Sequence, residues 1–281
     1  MLHWCYKHGI AKKPMNREPL IDITTTLRIL GWIRQAGQIA LRHFQQTTPS
    51  TKPDNTLVTQ ADVEIERYLT RQITAQYPQH NLLTEEGLYR QTNATSPYTW
   101  VLDPLDGTTA FVRGLPTWGV ALALLEAGNP IWGAFYMPLL DDMTYTMENS
   151  VHCTRCATPR LCTRWERHGF VATSMTAHTA FHIGVPRVGA TGSIGANLVY
   201  TARGTATAAF IPKAYVWDLA VGAAILSRMG GELRYLSGKP VDYRHLLDGR
   251  RAPEPVIAGH PRVVQCLHNA ITPLEAHYAQ N

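Results

Sequence analysis

The chain has 281 residues, 45% of them hydrophobic and 17% charged, with a formal net charge of +5. That balance supports a compact globular protein with one large or two coupled domains, and there are no low-complexity stretches or solenoid repeats. No apolar run approaches the roughly 18 to 20 residues that cross a bilayer. Arg155, Arg160, Arg164 and Arg167, like Arg244, Arg250 and Arg251, are too dispersed to form the basic block of a nucleic-acid arm.

In chain order, residues 1–18 read as a loosely held tail. The opening Met1-Leu2-His3-Trp4-Cys5-Tyr6-Lys7-His8 lacks an apolar core of signal-peptide length, so a cytoplasmic location is expected, and Met15 offers a second start. Leu27, Leu30, Ile33, Gly37, Ala40, Leu41 and Phe44 recur at helical spacing. Ile65, Leu69 and Ile73 mark a second helix that ends near Tyr77-Pro78. Strands are expected over 98–103, 117–126 and 131–137, the last two joined by the turn Gly128-Asn129-Pro130. Further strands fall near 169–173 and 206–211, then a helix from Asp218 to Met229 that Gly230-Gly231 stops, then a strand at Val256-Ile257-Ala258. Periodicity alone thus gives a mixed α and β fold.

His152, Cys153, Cys156 and Cys162 place four soft ligands within eleven residues. One Cys-x-x-Cys with neighbours is a weaker zinc signature than two paired knuckles, so reduced thiols are expected, with zinc or a redox pair as alternatives. The odd count of five cysteines argues against a secreted disulfide framework.

The most informative stretch is Trp100-Val101-Leu102-Asp103-Pro104-Leu105-Asp106-Gly107-Thr108-Thr109, which sets two carboxylates three residues apart on a turn behind an apolar strand. Mg2+ takes oxygen ligands, and Asp103, Asp106 and the Leu105 carbonyl could supply them. Gly107 would let the N–H groups of Gly107, Thr108 and Thr109 approach an anion at a helix start. A strand-ending turn without chemistry would use the same Asp-Pro and Asp-Gly dipeptides. Acidic residues recur at element ends, however, at Glu85-Glu86 after Asn81-Leu82-Leu83-Thr84 and at Trp217-Asp218, although a solvated pair and a helix cap would account for each alone.

Four motifs together resemble the inositol monophosphatase family, in the family's order: Leu57-Val58-Thr59-Gln60-Ala61-Asp62, Glu85-Glu86, Asp103-Pro104-Leu105-Asp106-Gly107-Thr108, and Trp217-Asp218-Leu219-Ala220 running on to Gly230-Gly231. The resemblance implies a layered α-β-α-β-α sandwich of the inositol monophosphatase and fructose-1,6-bisphosphatase type, in which one catalytic unit behind the 1–18 tail comprises an N-terminal half at 19–147 and a C-terminal half at 148–281. It implies that Glu85, Asp103, Asp106, Asp218 and the Leu105 carbonyl bind magnesium, with Asp106, Gly107, Thr108, Thr109 and Asp218 around the substrate. Glu85 and Thr108, the latter oriented by Asp62 beside Thr59, would then position and deprotonate the attacking water. The implied reaction is metal-assisted hydrolysis of a small soluble phosphate monoester, lithium-sensitive, by a homodimer. A non-catalytic module of the same fold, contacting RNA or a transcription partner, is the alternative.

Three departures stand out. Ala110 replaces a common asparagine, and the stretch after Met137-Pro138 is shortened and cysteine-bearing where the family carries a glycine-rich hairpin. Ile211, seven residues before Asp218, stands where inositol-hydrolysing members carry a glutamate. Isoleucine cannot accept a hydrogen bond, so inositol phosphate is not expected to be the best substrate, and Lys213 either simply faces solvent or favours a second anionic group, as in a sugar bisphosphate or a nucleotide 3′-phosphate.

Overall fold

Apolar residues run almost without interruption along the central strands, as in Val120-Ala121-Leu122-Ala123-Leu124-Leu125, and because successive side chains point to opposite faces, both faces of these strands are buried. The computed structural model describes residues 21–53, 56–156 and 158–274. The expected tail at 1–18 lies outside the described residues. Six strands form the first sheet in sequential order: β1 Asn81–Thr84, β2 Tyr98–Asp106, β3 Gly119–Glu126, β4 Asn129–Met137, β5 Asp142–Met147 and β6 Ser150–Cys153. A second sheet has five: β7 Val171–Thr173, β8 Val188–Ala190, β9 Ala208–Ile211, β10 Glu232–Tyr235 and β11 Val256–Gly259, in the order β8-β7-β9-β11-β10. The helices are α1 Ile23–His43, α2 Gln60–Gln76, α3 Thr108–Val112, α4 Ile194–Arg203, α5 Val216–Arg228 and α6 Pro261–His268.

Three cores stack these elements. Leu82, Trp100, Leu102, Leu122 and Leu124 face Ile29, Ile33, Ile65 and Leu69 of α1 and α2. Their strand neighbours Leu83, Val101, Ala121 and Ala123 face the opposite way, onto Leu198, Val199, Val221 and Ile225 of α4 and α5. Ala209, Ile211, Val256 and Ala258 of the second sheet close that middle layer from beyond. Phe210 and Ile257 turn outward onto Val263, Val264 and Leu267 of α6. The order helix, sheet, helix, sheet, helix is the expected α-β-α-β-α sandwich.

Several boundaries differ from those read in the sequence. The turn before β4 is Ala127-Gly128, both at positive φ (48° and 86°), and Asn129 and Pro130 already lie in the strand. Helix α5 starts at Val216, because Tyr215 is the extended cap and Asp218 lies in the first turn. A hairpin of β5 and β6 follows Met137 without glycine at its turn, where Glu148 takes φ 52°. Cys153 and Cys156 at its end are joined in a disulfide, which corrects the expectation of reduced thiols. Cys162 lies elsewhere, its Sγ 3.5 Å from the Gly204 carbonyl, so the four soft ligands do not converge. Among the described residues no helix is long and apolar enough to cross a membrane.

Candidate metal centre

Parallel pairing of β1 with β2 starts the site, because the register that sets Thr84 opposite Leu102 brings the next residues, Glu85 and Asp103, side by side. The Glu85 N–H donates to the Leu102 carbonyl at 3.1 Å. Strand β2 then runs through Pro104, and its pairing with β3 shifts register between Asp103 and Asp106. The irregularity is a bulge-type feature that re-aims side chains. Asp103 steadies it by accepting the Leu105 N–H at 3.0 Å.

Gly107 ends the strand at φ +90°, and a β-carbon there would stand 2.9 Å from Ser193 Cβ and 3.0 Å from the Gly192 carbonyl oxygen. Only glycine meets both demands. Thr108 and Thr109 open α3, where a helix's first N–H groups have no intrahelical acceptor. The Thr108 hydroxyl donates to the Leu105 carbonyl at 3.2 Å, so it is the Leu105 oxygen, rather than Asp62, that orients it.

Asp106 is gripped from the far half of the chain. Its carboxylate accepts the Ser193 hydroxyl at 2.7 Å, the Ile194 N–H at 3.1 Å and the Gly195 N–H, all at the start of α4. A β-carbon on Gly195 would lie 2.5 Å from Asp106 Oδ2, so the approach needs glycine. Asp218 comes from the first turn of α5 and accepts the Tyr215 N–H at 2.6 Å, which fixes its rotamer.

Asp103, Asp106 and Asp218 bring ligand oxygens within 4.8 Å of one another, the only such cluster of three or more metal-capable side chains among the described residues. Burial and the neighbouring charges of Glu85, Asp106 and Asp218 push the Asp103 carboxyl well above the usual range. Burial and the charges of Asp106 and Glu85 do the same to Asp218. Asp106 is raised less, to about 6, because burial is opposed by the Ser193 hydroxyl and two N–H donors.

Glu85 stands outside the cluster of three. Its Oε1 pairs with Lys52 Nζ at 2.9 Å, and the same ammonium reaches Glu86 at 2.6 Å. Burial, then the charge of Glu85, pushes Glu86 up to about 7. Asp62 is fully buried in α2, where one oxygen accepts both the Thr59 hydroxyl (2.6 Å) and the Thr59 N–H (2.7 Å). Its Oδ1 is buried without a protein hydrogen bond, and burial raises the carboxyl to about 6.

Sequence reasoning missed Lys52, Glu66 and Ser193. Ser193 carried a signal, since a serine before Ile194-Gly195-Ala196-Asn197-Leu198-Val199 with Gly204 beyond is a capped helix, and Gly204 takes φ 77°. Ile211 is buried in the middle core, only 2% exposed, while Lys213 is exposed to solvent.

The inositol monophosphatase family model matches residues 22–252. A fructose-1,6-bisphosphatase/inositol-1-monophosphatase of Thermotoga maritima is 25% identical over 217 residues, 74% of this chain and 83% of its own. The Nus factor SuhB of Pasteurella multocida is 28% identical over 258 residues, 85% of this chain and 92% of its own. Among solved structures, an IMPase/NADP phosphatase complexed with Mg2+ and phosphate superposes with TM-score 0.75 at 18% identity, over 91% of this chain and 96% of that one. Fold, matched length and motif order agree: this chain belongs to the inositol monophosphatase family.

Proposed function

We propose that the protein is a Mg2+-dependent phosphatase of small soluble phosphate monoesters. The observation that carries the reading is the cluster of the buried Asp103 and Asp106 with the part-buried Asp218, three carboxylates whose oxygens lie within 4.8 Å of one another and are held by Leu105, Ser193, Ile194, Gly195 and Tyr215. Burying like charges this close strongly disfavours ionising all of them, which a hard divalent cation relieves. The donors fit such an ion, being carboxylate oxygens with the Leu105 carbonyl beside them, and the unsatisfied Asp62 Oδ1 adds acidic character behind them.

Mg2+ bound there supplies Lewis acidity and a template for the phosphate. The N–H groups of Gly107, Thr108 and Thr109 receive the phosphate oxygens at the start of α3. Because the Thr108 proton points at the Leu105 carbonyl, the lone pairs of its oxygen are left to accept a hydrogen bond from the attacking water. Glu85, once it releases Lys52, takes that water's proton. The water oxygen then forms the new bond to phosphorus as the ester oxygen leaves in line and is protonated from solvent. Asp62 keeps the Thr59 end of α2 packed behind the centre.

Ile211 offers no acceptor for an inositol hydroxyl and is sealed in the core, which supports a substrate other than inositol phosphate. The test is a panel of inositol 1-phosphate, sugar bisphosphates and nucleotide 3′-phosphates, assayed with Mg2+ and with chelator. Mg2+-dependent release of phosphate, fastest from a bisphosphate, is expected; equal or better turnover of inositol 1-phosphate would contradict the substrate reading, and magnesium-independent turnover the mechanism. The Nus factor relatives favour a second reading, a non-catalytic module. Asp103→Asn separates the two: loss of cellular role together with phosphatase activity supports the enzyme, and an unchanged role supports the module.

A further inference from the structure

The turn that carries Glu85 is held from beneath by a buried carboxylate that the catalytic reading does not use. Glu66, in the middle of α2, is fully buried. Its Oε1 accepts the Thr84 hydroxyl at 2.7 Å and the Leu88 N–H at 2.8 Å, and its Oε2 accepts the Glu86 N–H at 3.1 Å. The residues before and after Glu85 are therefore both tied to one side chain, and a third tie follows at Leu88. Gly87, at φ +66°, lets the backbone reverse between the two N–H donors.

All three partners donate, so the site suits an ionised carboxylate, which only accepts. Each contact also satisfies a polar group that would otherwise be partly or fully buried in a turn with no sheet partner beyond Leu102. No cation among the described residues pairs with Glu66, unlike Glu85 and Glu86, which share Lys52. The two carboxylates of the turn thus share one lysine, while the backbone beneath them is held by Glu66.

We propose that Glu66 is a positioning residue for metal binding, holding the 84–88 turn so that the Glu85 carboxylate is aimed at the Asp103, Asp106 and Asp218 cluster. This rests on the reading of that cluster as a Mg2+ centre. Partners that orient a ligand without touching the metal cost about 10- to 100-fold in metal affinity when removed. In Glu66→Gln the amide oxygen can serve one side of the turn, and the amide nitrogen then faces an N–H or hydroxyl donor, so one tie is lost. Thr84→Val removes the hydroxyl, which reaches Glu66 at 2.7 Å and also lies 3.2 Å from the Tyr89 carbonyl, with no change of charge or shape, which separates positioning from simple loss of negative charge.

The experiment is calorimetric titration of Mg2+ into chelator-stripped full-length protein, wild type and both variants, alongside the Mg2+ dependence of phosphate release. Glu66→Gln is expected to weaken Mg2+ binding about tenfold and Thr84→Val about twofold. Part of the loss of phosphate release should be recovered at saturating Mg2+, because the defect lies first in metal binding. Wild-type Mg2+ affinity in both variants, whatever their melting temperatures, would overturn the inference. If Glu66→Gln does not fold, Thr84→Val alone decides by the same criterion. A wild-type protein that takes up no Mg2+ would overturn the metal centre itself, a result distinct from an unchanged affinity in the variants.

Discussion

Asp106 and Glu85 are both expected to meet the same cation, yet the chain treats them in opposite ways. Asp106 is locked by three donors at the start of α4, with two glycines, Gly107 and Gly195, making room for the contact. Its position is set before any ligand arrives. Glu85 is set only in its backbone, through Leu102 and the ties on either side of it, and its carboxylate is engaged by Lys52. One half of the centre is preorganised and the other is exchangeable, which suits a site where a carboxylate must change partner from ammonium to metal or water.

Three substitutions and a change of pH separate the locked half from the exchangeable one. Asp106→Asn puts an amide against the Ser193, Ile194 and Gly195 donors and removes a charge from the cluster; activity should fall by more than about 100-fold, beyond the range for outer partners. Retention of a tenth of the activity or more would show that Asp106 is not a ligand. Ser193→Ala keeps the two N–H donors and takes away the hydroxyl, so a loss of about tenfold in Mg2+ affinity is expected. It also removes the cap of α4, and melting should register about 1 kcal/mol.

Lys52→Met tests the exchangeable half. Without the competing ammonium, Mg2+ should bind a few-fold more tightly, by about three- to tenfold, while the magnesium-free protein melts lower because Glu85 and Glu86 face each other without a counter-ion. Weaker Mg2+ binding in this variant would mean that Lys52 helps to hold the centre rather than competing for it.

The smallest effect is on stability against pH. Asp62 and Asp106 hold their protons to about 6 in the fold, whereas unfolded carboxyls release them near ~4. Between those values the folded state binds more protons, so stability falls as pH rises through that window. Asp103 and Asp218 shift in the same direction and add to the slope. In chelator the melting temperature should therefore be lower at about pH 8 than at about pH 5, and Mg2+ should recover it most at the higher pH. A chelated protein more stable at the higher pH would refute the clustered charge.

The layered fold was legible because strand alternation and helical spacing are local: Leu82 and Leu83, or Phe210 and Ile211, show by neighbouring position that both faces are covered. The central turn was legible for the same reason, since Asp103, Asp106 and Gly107 act within a few residues. What was not legible depends on distance along the chain. Ser193 is 87 residues from Asp106, Lys52 is 33 from Glu85, and Glu66 is 18 from Thr84. No periodicity carries such pairings; only packing of α2, α4 and the segment before α2 against the first sheet creates them. The cysteines failed differently: the spacing of Cys153 and Cys156 is open to free thiols, a redox pair or zinc alike, and only the fold joins these two in a disulfide and sends Cys162 to Gly204.

Anomalous diffraction from crystals grown with Mn2+, a hard cation that suits the same oxygen ligands as Mg2+, tests the central claim most directly. The expected result is a peak coordinated by Asp103, Asp106 and Asp218, with Glu85 turned from Lys52 toward it. A protein that binds Mn2+ elsewhere, or leaves those three carboxylates without a peak at saturating Mn2+, would contradict it.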